Sequence, residues 1–228
     1  MNPTRRLGLI VQMRIDSSRL PGKALLELGD SSLAGMVMRR LRTIDADCYI
    51  LATDSDGAKQ LASSALAAGF TVFEGPKDDV LGRFALAIEA FSIDTVIRAT
   101  GDNPFVSKKL ADMVIAISKD LGADYVGMTG MPIGMGVELV RADALLKAAR
   151  LATQRHEREH VCPYLYEHPE AFAVARPSCP SEYYMPEGRL TVDTAEDYSR
   201  AKSIVASLGI TQTDEELLSW LRSERKDG

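Results

Sequence analysis

The chain has three cysteines in 228 residues, Cys48, Cys162 and Cys179, and no C-x-x-C pair among them. From an odd, scattered set neither a disulfide framework nor a thiolate metal site follows. Cys48, ahead of YILAT, reads as a small core residue of a strand, and Cys162 as packing. Long apolar runs are equally absent, so nothing approaches a membrane span. In MNPTRRLGLIVQMR the basic residues precede an apolar run too short for a signal peptide, which makes a cytoplasmic location the expectation. A broad basic face is missing as well: the formal net charge is −5 and weighs against nucleic acid or a membrane surface as partner. No Pro- or Ser-rich linker, repeat or low-complexity stretch divides the chain. With 46% hydrophobic residues, positions 1–228 are expected to form one domain around one sizeable core. Two common phosphate-binding signatures, G-x-x-x-x-G-K-[ST] and G-x-G-x-x-G, do not occur.

What is present is an alternation of short apolar runs with helical periodicity. Leu7–Met13, Cys48–Thr53, Thr71–Phe73, Thr95–Ala99 and Tyr125–Met128 read as buried strands. Leu33–Leu41, Ala58–Ala68, Val80–Phe91, Lys109–Ser118 and Ala142–Leu151 read as helices. That rhythm predicts a largely parallel, doubly wound α/β sheet with ligands at the carboxyl ends of the strands.

The segment after the first strand, QMRIDSSRLPGK (12–23), concentrates Arg14, Arg19 and Lys23 with the hydroxyls of Ser17 and Ser18 and a Pro-Gly turn. Cations, hydroxyls and backbone N–H groups at a strand end suit a polyphosphate, although a solvated basic turn has the same composition. Two acidic turns follow later. In TGDNP, Gly101 permits close backbone approach and Asp102 leaves the sheet edge; an Asx-turn carboxylate is the alternative. In TVDTAED, Asp193 is expected after a strand Leu190–Val192, and Thr194 with Asp197 forms a capping box that opens the next helix, leaving Glu196 and Asp197 to capping and dipole roles. His156–His160 reads HEREH, which matches the zinc-protease pattern H-E-x-x-H. Pro163 follows at once, and no third ligand stands at a suitable spacing.

The basic loop resembles the signature R-x-x-S-x-R-L-P-x-K of nucleotide-sugar cytidylyltransferases, the group that activates ketodeoxyoctulosonate and sialic acids. Four further stretches occur in the order of one branch, the family of spore coat polysaccharide biosynthesis protein F. They are ATDSD (52–56), DDVLGRF (78–84), IRATGDNP (97–104) and the pair EREHVCPYLYEHPE (157–170) with LTVDTAED (190–197). The resemblance implies a three-layer α/β/α nucleotidyltransferase fold of the glycosyltransferase-A type, in which residues 129–190 partly form an antiparallel addition covering an acceptor site. It implies transfer of a nucleoside monophosphate from CTP to a small anionic acceptor, a sugar acid or sugar phosphate, with release of pyrophosphate, for surface polysaccharide or glycan precursors.

By the same resemblance Arg14, Arg19, Lys23 and Asp102 are catalytic; these four with Gln12, Ser17, Ser18, Thr53, Asp54, Arg83 and Gly101 bind the nucleotide; and Asp102 and Asp193 hold Mg2+. Mg2+ takes one or two carboxylates and completes its shell with phosphate oxygens and water. Arg98, Glu138, Arg158 and His160 are expected at the acceptor, Arg158 and His160 lining its pocket or bracing it, which accounts for HEREH without zinc. Arg83 could equally be a helix-surface cation near Asp79, and Arg98, charged inside an apolar strand, could instead pair with Asp94. Three departures stand out. Asp16 replaces a usual Gly, Met13 a small residue, and in MPIGMGVELV the acidic positions of P-D-G-L-D-V-E have become Ile133 and Gly136, while Glu138 remains. A homodimer is left open. Two rivals stand beside the main reading: guanylyl or uridylyl transfer to a sugar 1-phosphate, and a retained fold that binds nucleotide without turnover.

Overall fold

Alternating faces of the buried strands build a two-sided core. In the computed structural model, which describes residues 5–224, strand β1 (Leu7–Gln12) turns Leu9 and Val11 to one apolar cluster and Ile10 to another. Residues 1–4, the start of the basic N-terminal segment, and 225–228 lie outside the described range. After β1 come a 3-10 turn (Lys23–Leu25), the short strands β2 (Glu27–Leu28) and β3 (Ser31–Ser32), α1 (Leu33–Leu41) and β4 (Cys48–Thr53). Next are α2 (Ser55–Ala67), β5 (Thr71–Glu74), α3 (Val80–Phe91), β6 (Thr95–Thr100), α4 (Lys108–Leu121), β7 (Tyr125–Gly127) and β8 (Glu138–Arg141). The remainder comprises α5 (Ala142–Leu151), α6 (Arg155–His160), α7 (Pro163–Glu167), β9 (Val174–Ala175), a 3-10 turn (Ser181–Tyr183), α8 (Ala195–Leu208) and α9 (Asp214–Glu224).

The main sheet has the order β5-β4-β1-β6-β8-β7-β9. Strands β5, β4, β1 and β6 are parallel, β8 is antiparallel to both β6 and β7, and β9 is parallel to β7. Helices α1, α2, α4, α8 and α9 bury their apolar faces on one side. The other side is covered by α3, α5 and α7. The expected three-layer α/β/α arrangement with a mostly parallel sheet is therefore present. Among the described residues no helix is long and apolar enough to cross a membrane.

Three predicted helices, Leu33–Leu41, Val80–Phe91 and Ala142–Leu151, agree end to end with the structure. Helix α2 starts earlier because Asp54 caps it, accepting from Gly57 N, and α4 starts at its Ser107 cap and runs on to Gly122, whose φ of 59° ends it. One expectation needs correction. Leu190–Val192 is not a strand: Leu190 N donates to Ile133 O at 2.7 Å and Val192 N to Asp102 O at 2.8 Å, so the segment is tied to two separate loops rather than to one strand. The antiparallel part of 129–190 is β8, which joins the main sheet between β6 and β7.

Candidate active site

The carboxyl ends of β1 and β6 and the turn before α8 meet at a cleft of about 300 Å³. Gly22, at φ 67°, lets the basic loop fold back, with its N–H on Ile15 O, so that Lys23 starts the 3-10 turn. The Lys23 ammonium donates to Val192 O at 2.8 Å and Asp193 Oδ1 at 3.0 Å, and lies 3.4 Å from Asp102 Oδ2. Arg19 reaches the same Asp193 oxygen at 3.0 Å, and Arg189 reaches the other at 3.1 Å. Burial alone would raise the Asp193 carboxyl, but Lys23, Arg19 and Arg189 together hold it below the ordinary carboxylate value. The turn itself is fixed by the capping box: Asp197 Oδ2 accepts from the N–H groups of Asp193 and Thr194, while the Thr194 hydroxyl accepts from Asp197 N.

Gln12, Arg14, Ser17, Ser18, Arg19, Lys23, Arg83, Arg98, Gly101, Asp102, His160 and Asp193 all line this cleft. At Gly101 a Cβ would stand 2.6 Å from the Met13 side chain, so glycine is what allows Met13 to pack over the turn. Asp16 is not on the lining: it pairs with Lys77 at 2.7 Å and approaches Arg14 at 3.8 Å. The Lys77 hydrogen bond and the Arg14 charge keep its carboxyl low. The awkward acid is thus drawn onto a lysine that sequence inspection does not single out.

Arg83 is fully buried, which rules out the helix-surface alternative. One terminal nitrogen donates to Pro76 O at 2.7 Å, and its Nε–H has no partner in the protein. Burial lowers its pKa from the usual guanidinium value. Its expected neighbour Asp79 instead caps α3 and forms an ion pair with Arg158. Arg158 also donates to Ala149 O and Ala152 O, so it ties α6 to α3 and is not among the residues lining the cleft.

Thr53 and Asp54 are buried away from the lining too, Asp54 as the α2 cap and Thr53 with an unpartnered hydroxyl. Arg98 pairs with Glu138 Oε2 at 2.6 Å and shares Gln12 Oε1 through Nε and a terminal nitrogen. Asp94, the alternative partner, accepts from the backbone N–H of Arg6. The zinc pattern does not assemble. His156 faces Glu167 at 3.0 Å, Glu157 caps α6 through the N–H groups of Thr153 and Gln154, and His160 points to the cleft. Among the described residues the cluster of potential metal-ligand atoms is His156, Glu157 and Glu167, without His160.

A second cavity of about 300 Å³ adjoins the first through Arg98 and Thr100, which line both. Glu138, Ile133 and Gly136 lie on it, together with Tyr125, Asn103 and Arg176. Tyr125 and Arg176 have no local signal in the sequence, because strand pairing alone brings β7, β8 and the segment after β9 to one end, whereas Asn103 belongs to the TGDNP turn.

The profile of the cytidylyltransferase family matches residues 9–222. The chain belongs to this family. It is a nucleotidyltransferase, as the resemblance in its motifs implies. The cytidylyltransferase is 37% identical over 207 residues to the spore coat polysaccharide biosynthesis protein SpsF of Bacillus subtilis, covering 88% of this chain and 86% of SpsF. It is 38% identical over 195 residues to the uncharacterized protein MJ1063 of Methanocaldococcus jannaschii, covering 83% and 79% of the two chains. Among solved structures, a cytidylyltransferase from Leptospira borgpetersenii superposes with a TM-score of 0.85 at 27% identity, over 98% of this chain and 94% of that one. A CMP:2-keto-3-deoxy-manno-octonic acid synthetase complexed with CTP shares the fold at a TM-score of 0.69 and 14% identity, over 89% of this chain and 99% of that one.

Proposed function

We propose that this cytidylyltransferase moves the cytidylyl group of CTP onto an anionic acceptor for polysaccharide or glycan-precursor synthesis. An acceptor oxygen bonds to the α-phosphorus, the bond from that phosphorus to the bridging oxygen breaks, and pyrophosphate leaves. The observation that carries the reading is the cleft's charge pattern: Arg14, Arg19, Lys23, Arg83 and Arg98 face the carboxylates Asp102, Glu159 and Asp193. A net positive cleft suits a triphosphate, and Arg19 and Lys23 are placed to take up charge on the leaving pyrophosphate. Two carboxylate oxygens within 3.0 and 3.4 Å of one ammonium make a hard-donor pair that fits a divalent cation. Asp102 and Asp193 would hold Mg2+, which when bound neutralises phosphate charge. The remaining work is positioning; a phosphate acceptor attacks through an oxygen that is already deprotonated, whereas a sugar-acid hydroxyl gives up its proton to water as the bond to phosphorus forms.

The family match favours cytidylyl over guanylyl or uridylyl transfer. The retained acidic pair on the cleft speaks against a binding protein without turnover.

Pyrophosphate release measured over CTP, GTP, UTP and ATP, each with sugar acids and sugar phosphates, tests the reading directly. CTP is expected to be preferred, and Asp102→Asn or Asp193→Asn is expected to remove turnover while circular dichroism stays unchanged. Near wild-type rates in both variants would sink the metal assignment.

A further inference from the structure

Among the described residues two besides glycine have positive φ, and they differ in kind. Ser92, at φ 51° and ψ 52°, ends α3 in an ordinary left-handed cap. Val161, at φ 72° and ψ −55°, instead forms a sharp three-residue turn in which Cys162 N donates to His160 O at 2.9 Å. A β-branched residue resists that conformation, so the surroundings must impose it. Upstream, α6 is fastened by Glu157, which caps it, and by Arg158, which grips Asp79 and the carbonyls of Ala149 and Ala152. Downstream, Pro163 opens α7, so only Val161 and Cys162 connect the two helices. Both are fully buried, in one apolar cluster with Phe84, Leu145 and Leu165. The residues just before the turn face the other way: Glu159 and His160 line the cleft, Glu159 at 3.7 Å from Arg14.

We propose that Val161 is a positioning residue, whose strained turn holds His160 on the cleft. With α6 and α7 both anchored, a relaxed backbone at 161 is accommodated only by moving the residues between the anchors, and His160 is the one among them that faces the cleft. What His160 serves there rests on the cytidylyl-transfer reading; how it is held rests on the backbone alone. Strain of this kind persists where the surroundings over-determine it, and it gathers at active sites. The competing account is that Val161 merely fills the core. The two accounts rank substitutions in opposite order. Alanine removes the packing that enforces the turn but still resists positive φ, whereas glycine removes more apolar surface and accepts the turn freely. Core filling places alanine above glycine; the strained turn places glycine above alanine.

The sequence has three histidines, so the His160 ring signal is identified by NMR as the one lost in His160→Gln. In the nucleotide-free protein Val161→Gly is expected to keep that signal at its wild-type position and Val161→Ala to shift it, and in thermal melts the glycine variant should unfold at or above the alanine variant. Pyrophosphate release is then followed with CTP and whichever sugar acid or sugar phosphate of the panel above the wild type uses. His160→Gln and Val161→Ala should each lower kcat/KM about tenfold or more, while Val161→Gly stays within about threefold of the wild type. In a His160→Gln background the turnover difference between the alanine and glycine variants should vanish and their difference in Tm should remain. A glycine variant that folds where the alanine variant does not supports the strained turn, and the reverse overturns it. An alanine variant as active and as stable as the glycine one, an unmoved His160 signal in Val161→Ala, unchanged turnover in His160→Gln, or a turnover difference that survives without His160 also overturns the assignment. A wild type that releases no pyrophosphate from CTP removes the cytidylyl-transfer reading instead, and the ring signal and the melts still decide whether Val161 holds His160.

Discussion

Lys23 is the side chain on which the proposed chemistry turns. Only 14% of it is exposed, and it bridges Asp102 and Asp193 from a loop that precedes them by 79 and 170 residues. If Arg19 and Lys23 meet the β and γ phosphates, Arg19→Ala or Lys23→Ala should weaken CTP about tenfold or more and CMP far less, since a charge-assisted hydrogen bond contributes roughly 1.5–3 kcal/mol. Equal weakening of both nucleotides in a calorimetric titration would move these residues elsewhere. The basic loop is legible in sequence because its cations are neighbours along the chain. Lys77 on Asp16 and Arg176 in the second cavity are not, because tertiary juxtaposition alone gives them their partners. Arg158, two residues before His160, lies off the cleft with its fork engaged by Asp79 and two carbonyls, the arrangement of a bracing residue rather than a lining one.

At the scale of elements, the turn that presents Asp193 depends on the first residues of α8. The capping box was readable from T-A-E-D, but the strand expected before it was not realised, since alternation in L-T-V cannot reveal which backbone groups will be free to pair. Asp197 is 4% exposed and holds the turn through Arg189, Arg200 and two backbone N–H groups. Burial opposes its charge, yet Arg189 and those N–H groups bring its pKa down from 3.8 to about 2. A folded value below the unfolded one contributes stability that is fully present above pH 3.8 and is lost as the pH falls toward about 2. The shift corresponds to about 2 kcal/mol. In urea titrations at successive pH values, the wild type should therefore lose stability relative to Asp197→Asn between about pH 4 and pH 2. Parallel curves through that window would show that the cap does not carry this energy.

For the molecule as a whole, the decisive feature is the strand that breaks the parallel rhythm. The existence of β1, β4, β5 and β6 and their parallel pairing follow from alternating apolar runs and helical periods. The placement of β8 does not, because ELVR is short and follows a glycine-rich turn, and nothing in it announces antiparallel pairing on both sides. Once inserted, β8 carries Glu138 between Arg98 on β6 and Tyr125 on β7, at the partition between the two cavities. Arg98 is 15% exposed and Glu138 21%, so the pair is largely withdrawn from water. Glu138→Gln would leave the guanidinium without its counter-charge. Breaking such a pair costs about 3 kcal/mol or more. For a domain of this size that lowers Tm by about 6–12 °C. Replacing both members, Arg98→Met with Glu138→Met, removes the unpaired charge together with its partner and should restore most of the lost Tm. It should not restore pyrophosphate release if Arg98 serves substrate as well as sheet. Thermal melts and turnover on the two variants separate these roles: a double variant that regains both stability and activity would reduce the pair to scaffolding, and a Glu138→Gln protein that melts like the wild type would show that it does not hold the strands together.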